Sequence, residues 1–140
     1  MGVNELRFLV GAWRGEGRVG DDLVTASVTG ELRDDGTIVL DHVTRREGAK
    51  DHRERIVLRE RRGRTRALIR PEGGAEQEFQ TATAVAGFRF TRADPKLGFL
   101  AWEIAPDGDD AFLERFLVGE GAAAEAVASL RHRRERSASS

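Results

Sequence analysis

From Gly11 onward the chain alternates apolar and polar residues over short stretches. Ile56 and Leu58 oppose Arg55 and Arg59, Phe88 and Phe90 flank Arg89, and Leu100, Trp102 and Ile104 flank Ala101 and Glu103. A period of two puts such sets on opposite faces of a strand, one turned to a core and one to water. Turn residues recur about every ten positions, as in antiparallel sandwiches and barrels. The pattern predicts strands over 11–19, 23–33, 37–46, 51–61, 64–70, 76–84, 86–92, 97–105, 110–118 and 125–134. Asp34-Asp35-Gly36, Arg62-Gly63, Asp94-Pro95 and Pro106-Asp107-Gly108 mark turns between them.

Ahead of the strands, Asn4 to Val10 predicts one short helix. Asn4 is placed to cap it, Glu5 suits its positive end, and Gly11 can close it in the left-handed conformation. Leu6, Leu9 and Val10 then form an apolar stripe that must pack on something, because so short a helix is unstable alone.

Ten sequential strands joined by hairpin-sized links favour an all-β, antiparallel up-and-down barrel, since closure removes exposed edges. A ten-strand closure is wide enough that side chains alone need not fill it. At 140 residues the chain supports one core, and a single domain over 1–136 with a frayed tail at 137–140 is expected.

Composition narrows the functional classes. Hydrophobic residues make up 39% and charged residues 34%, too apolar for disorder and too charged for a membrane-spanning helix. A formal net charge of −1 gives no overall field to attract nucleic acid or an anionic membrane. The chain has no cysteine, which excludes disulfides and thiolate sites and fits a reducing compartment. The first ten residues lack a basic region followed by an apolar run, so a cytoplasmic location is expected. All but two of the 23 basic residues are arginine, a bias that a GC-rich genome accounts for as well as chemistry does. The runs at 59–66 and 131–136 are read as a solvated outer face neutralised by Glu54, Glu60 and Glu135. Exposed stacking aromatics, which a nucleic-acid surface needs, are missing from them.

Phe8-Leu9-Val10-Gly11-Ala12-Trp13-Arg14-Gly15-Glu16-Gly17 resembles the opening of nitrobindin-like and related lipocalin-like barrel proteins, and equally that of small bacterial domains of the same kind. The resemblance covers about ten residues. It implies a helix leading into a Gly-x-Trp strand, with Trp13 packed across a closed end and a pocket for a small molecule. The nitrobindin likeness further implies heme, held by a histidine on a late strand, and action on reactive nitrogen species; His132 is the histidine in that position. After Gly17 the chain leaves that pattern, running Arg18-Val19-Gly20-Asp21-Asp22 without the usual tyrosine and proline.

The residues supply their own candidates. His132 shares a strand face with Ala128 and Leu130, so it points inward if they do; the competing expectation is a solvent-exposed histidine at the end of an arginine-rich strand. Arg131 and Arg133 lie on the opposite face. They could hold a carboxylate as paired residues do in fatty-acid-binding barrels, but parity makes this incompatible with an inward His132, and the arginines are expected in solvent. His42 shares a face with Ile38 and Leu40, and is expected to be a structural histidine bonded to a neighbouring strand; a general base or a ligand's polar contact is the alternative. His52 reads as a turn or strand-edge residue. Glu54, Glu60, Glu78 and Glu103 are expected on the exterior. Glu114, between Phe112 and Phe116, would be a site candidate if drawn inward, although burial of a charge favours an outward face or a bulge.

Metalloprotease, P-loop, nucleophile-elbow and calcium-loop motifs are all missing, which favours a non-enzymatic binding protein. The leading expectation is a barrel that holds a small hydrophobic or amphipathic molecule. Its wall would come from Trp13, Leu40, Leu58, Leu68, Phe79, Phe88, Phe90, Trp102, Phe116 and Leu130, with His42 or His132 as polar contact. A heme protein ligated by His132 is the second reading, and a solidly packed barrel serving as an interaction domain is the third. Whether two chains pair as a homodimer is left open.

Overall fold

A computed structural model describes residues 2–84, 86–119 and 124–135. Ten strands follow a short helix: β1 (Gly11–Val19), β2 (Asp22–Leu32), β3 (Ile38–Arg45), β4 (His52–Arg61), β5 (Arg64–Pro71), β6 (Gln77–Ala82), β7 (Phe88–Asp94), β8 (Gly98–Pro106), β9 (Ala111–Val118) and β10 (Glu125–Arg134). Each pairs antiparallel with its neighbours in sequence, and β1 pairs with β10 to close the barrel. Every strand boundary falls within two residues of its expected position. The tail expected to fray at 137–140 lies outside the described residues. Among the described residues no helix is long and apolar enough to cross a membrane.

The seam between β1 and β10 explains part of the glycine pattern. Gly17 pairs with Leu130, and a side chain at Gly17 would overlap the Ser129 carbonyl and the Leu130 backbone. Only glycine allows the two strands to approach so closely. On β10 the register shifts between Ala126 and Ala128, a bulge that places Leu130 opposite Glu114 and His132 opposite Phe112.

The helix departs from its expected form. It is a 3₁₀ helix over Val3–Leu9, with Gly2 rather than Asn4 at its start; the Gly2 N–H donates to the Glu5 carboxylate at 3.1 Å. Val10 is already extended, and Gly11 has φ 124°, outside the helical left-handed well, so it closes no helix. Over seven residues an α-helical ladder adds few bonds, and the last carbonyl is used elsewhere: Leu9 O accepts the Trp13 indole N–H at 3.0 Å.

That bond ties the helix into one end of the barrel. Leu6, Leu9 and Trp13 are buried, Phe8 stacks on Phe88 at 5.8 Å, and Phe112 meets Trp13 edge-on at 4.8 Å. The Arg134 guanidinium lies 4.2 Å over the Trp13 ring and donates to the Val10 and Phe8 carbonyls. Val28, Ile38, Leu40, Ile56, Leu58, Ala67, Ile69, Phe79, Phe90, Trp102 and Ile104 continue this core into the lumen.

Outside, several arginines pair with acids, as Asp41–Arg55 at 3.0 Å, Arg66–Glu78 at 2.8 Å and Glu103 between Arg89 and Arg115 show. Glu54 corrects its expectation. It shares the inner face with Ile56 and Leu58 and stands at the open rim, 3.2 Å from His52.

Candidate functional site

At the end opposite the helix the lumen is not filled. A cavity of about 670 Å³ opens there, walled by Val24, Ile69, Phe79, Leu100, Phe116 and Leu130. Its mouth carries charges of both signs, including Arg46, Lys50 and Arg53 beside Asp51, Glu54 and Glu72. Its floor holds His42 and Glu114.

Glu114 comes from β9 and reaches across the lumen to His42 on β3. His42 Nε2 lies 2.7 Å from Oε1 of Glu114, and His132 Nε2, from neighbouring β10, lies 2.8 Å from the same oxygen. The Trp102 indole N–H on β8 donates to Oε2 at 2.8 Å. All four residues are buried. A carboxylate surrounded by three N–H donors is stabilised as the anion. Burial pushes the Glu114 carboxyl up, but the His42 charge and the hydrogen bonds from both histidines outweigh it and hold it well below the usual carboxylate range.

The two histidines are not equivalent. His42 Nδ1 lies 3.3 Å from the Thr44 hydroxyl, which can donate to a bare nitrogen or accept from a protonated one. His42 can therefore gain or lose a proton without leaving a buried group unpaired. Burial pulls its pKa down, yet the charge and hydrogen bond of Glu114, with Glu54 adding to them, raise it above the ordinary value. Among the described residues His132 Nδ1 has no hydrogen-bond partner. A buried N–H left unpaired costs about 1–3 kcal/mol, so the geometry favours the tautomer with the proton on Nε2, toward Glu114. Gly15 explains the placement. A side chain there would overlap the His132 ring, so the second glycine of the opening motif makes room for this imidazole.

Four of the twelve residues expected in the binding wall line the cavity: His42, Phe79, Phe116 and Leu130. Trp13, Leu40, Leu58, Phe90 and Trp102 are core, and Phe88 is half-buried beneath Phe8. His132 sits behind the floor, fully buried. Leu68 faces outward: it pairs with Val57 and Glu78, on the opposite face from Ala67 and Ile69. In Ala67-Leu68-Ile69 every residue is apolar, so alternation gave no parity.

The expectation of an exposed His132 is overturned, and so is that of an outward Glu114. Phe112, Glu114 and Phe116 do share a face, and it is the inner one. Arg131 and Arg133 point outward, with Arg131 bonded to Asp107 at 2.9 Å. His52 opens β4 at the exposed rim, as its position suggested. Thr44 was not singled out in the sequence, because a lone threonine at the end of a strand carries no signal of its own.

These residues do not fit a heme held through His132. Nε2 faces Glu114 within the buried cluster, Nδ1 is turned against Gly15, and neither nitrogen opens on the cavity where a flat macrocycle could lie. The donor set is better matched to a small ion, since one nitrogen from each of His42 and His132 and one carboxylate oxygen of Glu114 lie within 4.8 Å of one another. Neither a protein-family model nor a curated protein matches this chain.

Proposed function

We propose that this protein binds a small apolar or amphipathic molecule in the open half of its barrel. The observation that carries this reading is the cavity of about 670 Å³, within the size range of small-molecule sites, with apolar walls and an ionisable floor. The ligand's apolar body would lie against Phe79, Leu100, Phe116 and Leu130, and its polar end would meet His42 and Thr44. A hydroxyl or carbonyl at that end finds both a donor and an acceptor there. The likeness of the opening Gly-x-Trp strand to lipocalin-like barrels supports the same reading. A chain without cysteine suits such a role in a reducing cytoplasm.

A titration with Nile red tests the proposal. Saturable one-to-one uptake with a rise in fluorescence is expected, and Ala128→Trp, which puts an indole in the cavity wall, should reduce the affinity at least tenfold. Uptake that never saturates, or that Ala128→Trp leaves unchanged in a folded protein, would remove the proposal.

A further inference from the structure

We propose that His42, Glu114 and His132 form a binding site for a divalent first-row transition-metal ion at the floor of the cavity. Two imidazoles and one carboxylate make up a ligand set used for zinc and for non-heme iron. Here the three ligand atoms converge from three strands of a closed barrel, within 4.8 Å of one another on buried side chains. The chain has no thiolate to offer, so nitrogen and oxygen donors define the class of ion.

Two further contacts resemble the outer partners that orient metal ligands. Trp102 occupies Oε2 of Glu114 and leaves Oε1 as the ligating atom, and Thr44 faces Nδ1 of His42. Both Nε2 atoms already point at Oε1, so their protons stand where an ion would sit. Binding displaces those protons, and the ligand atoms separate until each lies roughly 2.0–2.2 Å from the ion. His132 then carries its proton on Nδ1 without an acceptor, a cost small beside the free energy of binding a transition metal. His42 and Glu114 border the cavity, so a further coordination position faces it and is open to water or to a ligand's polar end. The floor would then be an open metal centre and not only an ion cluster.

Chelator-treated protein titrated with Zn²⁺ by calorimetry and with Co²⁺ by visible absorbance tests this. One equivalent should bind at micromolar concentration or below, with Co²⁺ ligand-field bands and no thiolate charge transfer. His42→Ala and His132→Ala should each weaken binding on the order of 100-fold, whereas His52→Ala, which removes the rim histidine, should leave it unchanged. In the wild-type protein, which needs no variant to fold, Co²⁺ should broaden or shift the indole N–H resonance of Trp102 far more than that of Trp13. Failure of the folded wild-type protein to take up one equivalent overturns the proposal. Equal effects on the two indoles, or binding lost in His52→Ala and kept in His42→Ala, overturn it too.

Discussion

The two halves of this barrel share strands and pleat but are built for opposite ends. In the closed half Trp13 and Phe112 interlock with Phe8 and Leu9 of the helix, with Arg134 laid over the Trp13 ring. In the open half the same strands carry Leu130, Phe116 and Phe79 around empty volume. Side chains that touch one another on all sides contribute dispersion and burial together, whereas those facing a cavity forgo part of both. Stability is thus concentrated at one end and the open cavity at the other, with the Glu114 cluster between them.

Removing the plug should have the largest effect. Trp13→Ala is expected to cost about 3–5 kcal/mol in denaturant unfolding. Phe116→Ala, with one side already empty, should cost about 1.5 kcal/mol or less; similar losses in the two variants would break the contrast between the halves. Glu114→Ala should follow closely, at about 3–5 kcal/mol, because it leaves buried donors on His42, His132 and Trp102 without an acceptor. Gly15→Ala should cost about 1–3 kcal/mol through overlap with the His132 ring, and should shift that histidine's resonances more than those of His52.

Protonation gives a finer test, made in chelated buffer. The pKa of His42 is raised above its ordinary 6.5, so its contribution to stability is full below about pH 6.5 and is lost as pH climbs through the raised value. The pKa of Glu114 is depressed below its ordinary 4.5, so its contribution is full above about pH 4.5 and is lost as pH falls toward the depressed value. Together they place the cluster's greatest contribution between about pH 4.5 and 6.5. Denaturation midpoints measured across pH should lose their alkaline decline in His42→Gln, and an unchanged decline would assign it to another group. Smallest of all, Asp41→Ala breaks an exposed pair with Arg55 and should change stability by about 0.5 kcal/mol or less.

How far the sequence could be read depended on the range of the interaction. Strand positions follow from local alternation and turn chemistry, so Phe88-Arg89-Phe90 and Asp34-Asp35-Gly36 announced themselves. Face parity was equally local, and it correctly grouped His132 with Leu130 and set it against Arg131 and Arg133. What parity could not decide was which face turned inward when a charge lay on it. For Glu114 the answer depends on donors from β3, β8 and β10, which become neighbours only when the barrel closes. His42 is 72 residues away in sequence, and no local pattern connects the two. Trp13 announced a plug, whereas the helix starts at Gly2 and not at Asn4 because the Glu5 carboxylate reaches back to the Gly2 N–H, a local contact that the capping preference of Asn4 obscured.

The pairing of β1 with β10 also has a kinetic consequence. Gly15 stands on the first strand of the barrel and His132 on its last, facing each other across the seam. Contacts between residues so distant in sequence form slowly and late, after the hairpins between them have assembled. The nascent barrel therefore lacks the Leu130 wall of its cavity, and His132 behind the floor, until β10 emerges. Any chain cut short before β10 presents an unpaired β1 edge in place of a site, the form in which a sheet is most prone to associate with another.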